Sequence, residues 1–307
     1  MAWHETPAEL ERAWAEEAHR VPCALGDLVA IYTPPAPSAP PAERCVIFFS
    51  RPRFENRRTL VEAARRLATY GFGCIRFDYH GWGDSEGSSG MVYVDEPYRD
   101  DGLAVLRYAR ERLGFQQFIV WGGCFDARTA ISLFTEEGPA LAALGFFGAP
   151  VTDWMGSEAY NPSNLVRVGA RWKTIRELIL SQRARERAVL ALRIAFNRII
   201  MRYTKTPPVS PVFLRDWKAV VRSNARVLFY YGEEDEEYRL SFKLKQPELL
   251  DRLDPRTRAR FEIFVVPGRA HTVLEAAHRE RLLNHTVEWI KSLHPHAVEA
   301  PRAAAAS

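Results

Sequence analysis

The sequence of 307 residues lacks several features that would assign it to a simple class. It has only four cysteines, Cys23, Cys45, Cys74 and Cys124, and no C-x-x-C pair, which argues against a disulfide framework and against a zinc site. It has no run of about 20 apolar residues, the length that a membrane-spanning helix needs. The first 20 residues are acidic and lack the basic start and apolar centre of a signal peptide. We therefore expect a cytoplasmic protein without a membrane span.

A strong excess of one charge sign is also missing, since the formal net charge is only +4. The charge is nevertheless unevenly distributed along the chain. Residues 151–225 contain 14 Lys and Arg against 5 Asp and Glu, so this segment carries +9 and the rest of the chain carries −5. No basic stripe accompanies a nucleic-acid-binding fold, and we do not expect a nucleic-acid partner.

What the sequence does contain is a regular alternation of short apolar runs and helical patterns. The runs are nearly continuous in apolar residues, as is typical of parallel strands that are buried on both faces. Predicted strands cover ALGDLVAIYTPP (24–35, one or two strands), CVIFFS (45–50), GCIRFDY (73–79), QFIVWG (117–122), ALGFFGA (143–149), RVLFYYG (226–232) and FEIFVVP (261–267). Predicted helices cover 59–71, 100–114, 124–134 and 271–293. This alternation predicts a doubly wound α/β sheet with right-handed crossovers.

One interval interrupts the alternation. Residues 151–225 read mostly as helices, and we interpret them as a helical lid inserted between a first core part, 1–150, and a second, 226–293. Such an insertion would lie over the carboxyl ends of the strands, where α/β sheets bind ligands. The remaining residues, 294–307, have the composition of a disordered tail.

A tight strand-to-helix turn is predicted at Gly122-Gly123-Cys124-Phe125-Asp126. The block has the outline of the nucleophile elbow G-x-S-x-G, with cysteine in the place of serine and aspartate in the place of the last glycine. A nucleophile at this position begins a helix, whose positive N-terminus favours a thiolate, and the thiolate is the reactive form. Cys124 is therefore a candidate nucleophile.

The order of polar residues downstream supports this interpretation. Acidic residues follow the predicted strand 226–232, and His271 follows the strand 261–267. The order nucleophile, acid, histidine is that of α/β hydrolases.

Four segments then resemble motifs of α/β-hydrolase-fold enzymes. FDYHGWGDSEG (77–87) is similar to their loop after the fourth strand, in which Asp78 is expected to secure the turn. GGCFDA (122–127) resembles their elbow, GEED (232–235) their acid loop and PGRAH (267–271) their histidine loop. The similarity covers about residues 24–293 and is strongest to the serine-aminopeptidase-like and lid-bearing esterase branch, which includes hydrolases of bacterial exosortase systems. The cysteine resembles that of dienelactone hydrolases, which use Cys, Asp and His on this fold.

The resemblance implies a role for each matching residue. Cys124 takes the position of the nucleophile, His271 that of the base and Asp235 that of the acid, with the neighbouring Glu234 as an alternative. Asp153 is a second candidate acid, because some members carry the acid after the preceding strand. The backbone amide of Phe125 is expected in the oxyanion hole.

Two positions depart from the family pattern. The usual His-Gly after the third strand is replaced by Ser50-Arg51-Pro52, and Pro52 has no amide hydrogen to donate, so Arg51 is the expected second oxyanion donor. Asp126 places a carboxylate next to Cys124, which disfavours a thiolate unless a base such as Arg128 pairs with it. Asp126 is alternatively a proton acceptor.

The resemblance implies an acyl hydrolase, thioesterase-like or esterase-like, that forms an acyl-cysteine on an ester, thioester or lactone with an apolar acyl part. An acyltransferase or a small-acid-eliminating enzyme with a carrier-bound or natural-product substrate is an alternative. So is a non-catalytic binding protein with the same fold. No metal or cofactor is implied. The basic helical pattern of the predicted lid is by default a solvated face, and alternatively docks an acyl carrier protein.

Overall fold

The computed structural model describes residues 15–37, 39, 43–49, 57–88, 97–152, 208–271 and 276–293. Within these residues, eight strands form one sheet in the order β1-β2-β4-β3-β5-β6-β7-β8. Their bounds are β1 Glu17–Val21, β2 Leu28–Thr33, β3 Arg44–Phe49, β4 Gly73–Phe77, β5 Gln117–Gly123, β6 Leu141–Phe147, β7 Arg226–Gly232 and β8 Phe261–Val266. Strand β2 is antiparallel to both of its neighbours, and the other adjacent pairs are parallel. The prediction of a mostly parallel, doubly wound sheet is confirmed.

Helices cover both faces of this sheet. The described helices are α1 Arg57–Ala68, α2 Arg99–Leu113, α3 Phe125–Ser132, α4 Phe134–Glu137, α5 Pro211–Arg222, α6 Lys243–Leu249, α7 Pro255–Arg258 and α8 Ala276–Ser292. A 3₁₀ turn covers Gly138–Ala140 and a π-helical turn covers Glu237–Phe242. Helices α2, α3 and α5 contribute to the core on one face of the sheet. Helices α1 and α8 contribute to the core on the other face.

The central strands are almost entirely apolar because both of their faces are covered. In β3, Cys45, Ile47 and Phe49 point into one core, and Val46 and Phe48 point into the other. Successive side chains of a strand alternate between the two faces, so each residue of such a strand is buried. This alternation explains the absence of polar residues from Cys45 to Phe49.

The structure differs from the sequence-based expectation at the first strand. We expected the first strands within residues 24–35, but β1 lies earlier, at Glu17–Val21, and only β2 lies inside that range. In β1 only Val21 is buried, because the strand forms an edge of the sheet and its backbone pairs with β2 alone. A strand with so little apolar content gives no clear signal in the sequence.

Part of the predicted lid is described as well. Helix α5 lies within residues 151–225, and its Phe213 and Trp217 pack against the sheet, with ring centroids 5.9 Å from Phe146 and from Phe229 respectively. The last part of the predicted insertion thus contains a helix of the core. Residues 153–207, which include the helices predicted for the lid, lie outside the described residues, as does the tail 294–307.

Candidate active site

The backbone at Cys124 has the geometry of a nucleophile elbow. Cys124 lies between β5 and α3 with φ 54° and ψ −123°, and within the described ranges it is the one residue other than glycine with positive φ. Such a conformation costs on the order of 1–3 kcal/mol and persists only where its surroundings enforce it. Here the amide of Cys124 donates to the carbonyl of Phe147 at the end of β6, at 2.8 Å.

A glycine is required two residues before the cysteine, at Gly122. A Cβ atom there would lie 2.6 Å from the backbone of Asp126 and of Ala127, closer than such atoms approach. The glycine expected two residues after the nucleophile is Asp126, which is 3% exposed and lies in the first turn of α3. The elbow therefore forms with a buried aspartate at this position, and Gly122 provides a close approach to the helix backbone.

His271 lies in the loop after β8, close to Cys124. The two side chains are near enough to interact, and Cys124 is one of the groups that raise the pKa of the imidazole. Gly148, at the end of β6, lies against the same ring, since a Cβ atom there would be 3.7 Å from imidazole atoms. Cys124 and His271 come from different ends of the chain and meet because both follow the carboxyl ends of parallel strands.

The carboxylate that binds the imidazole is that of Glu237. Its Oε1 lies 2.7 Å from His271 Nδ1, and both side chains are mostly buried. Sequence reasoning expected Asp235 in this position and did not consider Glu237. The acid loop is GEEDEE, and among so many carboxylates in succession the sequence carries no signal that singles out the sixth residue.

The carboxylate of Asp235 binds backbone amides of two loops. Its Oδ2 accepts from the amide of Gly232 at 2.7 Å, and its Oδ1 accepts from the amides of Ala270 and His271 at 3.0 and 3.1 Å. Burial raises the pKa of Asp235 above its ordinary value, although the three amides oppose the shift. The residue predicted to orient the imidazole thus clamps the acid loop to the histidine loop.

The protonation of His271 is set by its two partners. Burial alone would lower the pKa of the imidazole, but the hydrogen bonds and charges of Cys124 and Glu237 outweigh burial and raise it to about 11. The carboxylate of Glu237 favours the charged ring, since an anionic neighbour at hydrogen-bond distance stabilises an imidazolium. The imidazole thus lies between the side chains of Cys124 and Glu237.

Of the other predicted site residues, two lie within the part of the chain that the structure describes and two lie outside it. Phe125 is the first residue of α3, directly after Cys124, which is the position expected for an oxyanion donor. Glu234 is exposed, and its amide donates to the carbonyl of Gly268 at 3.0 Å. Arg51 and Asp153 lie outside the described residues.

The loop after β4 is ordered by its own hydrogen bonds. The hydroxyl of Ser85 donates to the carbonyl of Asp78 at 2.6 Å and accepts from the amide of Val29 at 2.8 Å. The amide of Asp84 donates to Asp78 Oδ2 at 3.4 Å. These contacts fasten the loop to β2 and agree with the structural role expected for Asp78.

The described ranges contain no cluster of three or more His, Cys, Asp or Glu side chains arranged to hold a metal ion. None of the helices in these ranges combines the length and the apolar character that a membrane crossing requires.

Comparison with known protein sequences gives short matches. No family model matches the chain. It is 26% identical over 115 residues to the quorum-quenching protein AidA of Acinetobacter baumannii, a match that covers 36% of this chain and 37% of that protein. It is 30% identical over 73 residues to the lysophosphatidylserine lipase ABHD12 of Danio rerio, covering 24% of this chain and 18% of the lipase. The matches thus span about a third of the first relative's length and less than a fifth of the second's.

Solved structures match over nearly the whole chain. Est1E from Butyrivibrio proteoclasticus with bound ferulic acid has a TM-score of 0.59 at 17% identity, over 90% of this chain and 99% of that one. The Pyrococcus furiosus esterase Pf2001 has a TM-score of 0.58 at 12% identity, over 95% and 96%. An α/β serine hydrolase homologue from Coxiella burnetii has a TM-score of 0.54 at 14% identity, over 89% and 97%. The chain has the α/β-hydrolase fold, as its motifs predict.

Proposed function

We propose that the protein is an ester hydrolase that works through an acyl-cysteine on Cys124, with His271 as acid and base and Glu237 as the orienting carboxylate. The observation that carries the proposal is the series of contacts from Cys124 through His271 to Glu237 at the carboxyl ends of the strands. Its fold relatives include esterases, and one of its sequence relatives is a lipase.

The chemistry follows from the charge of the site. The thiolate of Cys124 attacks the acyl carbonyl, and the amide of Phe125, at the N-terminus of α3, stabilises the oxyanion. The imidazolium of His271 donates its proton to the leaving group as the acyl–oxygen or acyl–sulfur bond breaks. Neutral His271 then takes a proton from water, the resulting hydroxide attacks the acyl-cysteine, and the thiolate leaves with the imidazolium restored.

Mass spectrometry of the intact protein tests the acyl-cysteine. The wild type, Cys124→Ala and His271→Ala are each incubated with a panel of aryl esters and acyl thioesters. We expect a mass gain equal to the acyl group on the wild type, located at Cys124, absent from Cys124→Ala and strongly slowed in His271→Ala. Release of the free acid with decay of the adduct indicates hydrolysis. An adduct that decays only after an amine or thiol acceptor is added indicates acyl transfer instead.

The same acyl donors, together with iodoacetamide, test the alternative that the protein binds a ligand without catalysis. A protein that binds ligands without catalysis forms no adduct with any donor, and its Cys124 reacts with iodoacetamide no faster than an ordinary thiol. Either result would remove the basis for covalent catalysis.

The role of Glu237 has its own test. Replacing Glu237 by Gln removes the charge that favours the imidazolium, so we expect acylation to slow on the order of 10²-fold. Glu236→Gln is the matched control, because Glu236 is the exposed neighbour in the same segment. Equal acylation rates in the two variants would mean that the carboxylate of Glu237 neither orients His271 nor favours its protonated form.

A further inference from the structure

A short segment that begins with the last residue of β6 contacts both Cys124 and His271. In this exit segment, Phe147–Thr152, the carbonyl of Phe147 accepts from the amide of Cys124, and Gly148 lies against the ring of His271. The carbonyl of Pro150 accepts from Arg128 Nη1 at 3.1 Å. Arg128 is 1% exposed and belongs to α3, the helix that Cys124 precedes. The exit segment is therefore fixed to the nucleophile helix.

The exit segment is also fixed to the turn that carries Glu237. Ser241 Oγ accepts from the amides of Val151 and Thr152, at 2.9 and 3.1 Å, and shares a hydrogen bond of 2.9 Å with the hydroxyl of Thr152. Ser241 is 1% exposed and follows Glu237 by one helical turn of the π-helical segment Glu237–Phe242. Single π-helical turns are rare and occur frequently at functional sites.

The π-helical turn Glu237–Phe242 makes one polar contact near each of its two ends. A buried aromatic ring adds an apolar contact at the second end. At its start, Glu237 meets the imidazole. At its end, Ser241 holds the exit segment, and the ring of Phe242 packs on Phe229 and Tyr231 with centroid distances of 4.6 and 4.9 Å. With its end fixed in this way, the turn has little freedom to rotate or slide, and the carboxylate of Glu237 stays within reach of Nδ1 of His271.

We propose that Ser241 is a positioning residue of the site: by holding Val151 and Thr152, it keeps the carboxylate of Glu237 on Nδ1 of His271 and thereby keeps the imidazole oriented beside Cys124. The inference rests on the proposed function, because it assigns Ser241 an effect on the reactivity of Cys124. Ser241 touches none of the reacting groups and acts only through Glu237.

The test measures the rate of alkylation of Cys124 by iodoacetamide between pH 5 and 9 in the full chain, with the modified site located by peptide mass spectrometry. We expect Ser241→Ala to slow alkylation at neutral pH by about three- to tenfold, as the loss of one buried hydrogen-bond acceptor would. Its pH profile should move toward that of Glu237→Gln. Thr152→Val, which removes only the shared hydroxyl contact, should give a smaller shift in the same direction, and Ser241→Thr should restore the rate.

A double-mutant cycle separates positioning from a general structural effect. If Ser241 acts through Glu237, then Glu237→Gln/Ser241→Ala reacts no more slowly than Glu237→Gln alone. The control is Ser223→Ala, which removes hydrogen bonds to Val220 and Ala225 at the end of α5 and should leave the profile unchanged.

Failure of this inference is distinguishable from failure of the proposed function. The proposed function is overturned if Cys124 reacts no faster than an ordinary thiol in the wild type and equally slowly in His271→Ala. Wild-type reactivity that depends on His271 but is unaltered in Ser241→Ala, or additive effects in the cycle, overturns the role of Ser241 alone. If Ser241→Ala does not fold, Thr152→Val decides in its place, and an unchanged profile in that variant also overturns the role.

Discussion

At the scale of single residues, the unusual feature is a histidine held as a cation. The pKa of His271 is raised to about 11 because Cys124 and Glu237 together overcome the effect of burial. An imidazolium that persists at neutral pH is suited to a cysteine nucleophile, since the positive ring stabilises the thiolate before substrate arrives. A serine nucleophile needs the opposite state, a neutral imidazole that accepts the hydroxyl proton.

The charge of His271 is measurable directly by NMR titration of labelled histidine. We expect the imidazole of His271 to remain protonated through pH 8 in the wild type, and its pKa to fall in Glu237→Gln and in Cys124→Ala, because each variant removes one stabilising partner. His285 is an internal reference, because burial lowers its pKa and it should be neutral at pH 8. A wild-type His271 that titrates near 6.5 would contradict this account.

Gly122 carries the second prediction at this scale. We expect Gly122→Ala to destabilise the fold by about 1–3 kcal/mol or more and to abolish rapid labelling of Cys124, because the new methyl would meet the backbone of Asp126 at 2.6 Å. Gly138→Ala is the control, since no atom lies within 4 Å of the Cβ it would add. Urea denaturation and alkylation rates compare the two variants. Similar behaviour of both would mean that the elbow can widen to accept a side chain.

At the scale of elements, the sequence predicts what depends on apolar periodicity. Strand β5, helix α3 and the turn between them lie where GGCFD indicates, because a buried strand followed by glycine and a helical pattern has few alternatives. The choice between Asp235 and Glu237 was not predictable, since it depends on how the chain coils after β7. A π-helical turn has no periodic signature of its own, and here it carries Glu237 to the imidazole.

Asp235 gives the prediction for the loops at this scale. We expect Asp235→Asn to destabilise the protein by about 1–3 kcal/mol, because an amide group would turn a donor toward one of the three amides that the carboxylate now accepts from. Thermal and urea denaturation measure the loss, with the exposed Asp251→Asn as control.

The pKa of His271, measured by NMR titration in Asp235→Asn, distinguishes the backbone contacts of Asp235 from the role of Glu237. The raised pKa of His271 should largely survive in Asp235→Asn wherever the variant is folded, because the contact with Glu237 is retained. A variant of Asp235 with full stability but a His271 pKa as low as that of Glu237→Gln would instead return the orienting role to Asp235.

At the scale of the whole molecule, the site is assembled by the topology of the sheet. Cys124 follows β5, the exit segment follows β6, Glu237 follows β7 and His271 follows β8, and these four strands are adjacent and parallel. Their carboxyl ends therefore meet at one edge, which is where open α/β sheets bind ligands. Residues more than a hundred positions apart become neighbours without any long-range contact having to be specified separately.

At the opposite end of the strand order, a charged contact adds to the apolar burial of β1, β2 and β4. Glu16, just before β1, binds Arg76 of β4 at 2.8 Å and Arg65 of α1 at 3.2 Å, and its pKa is lowered because these hydrogen bonds and charges outweigh burial. A carboxylate whose pKa is lower in the folded state stabilises the fold above its unfolded pKa, near 4.5, and the stabilisation disappears as the pH falls through the folded value.

We therefore expect Glu16→Gln to lower the free energy of unfolding at pH 7 by about 1–3 kcal/mol, since the variant leaves the mostly buried guanidinium of Arg76 without its carboxylate. The difference from the wild type should shrink as the pH falls through the lowered pKa of Glu16 in the folded state, because the wild-type carboxyl then becomes neutral as well. Urea denaturation at pH 7, 5 and 3 measures it, with the exposed Glu43→Gln as the matched control. A difference that is the same at all three pH values would mean that the packing of the Glu16 side chain, and not its charge, stabilises the contacts of this segment with β4 and α1.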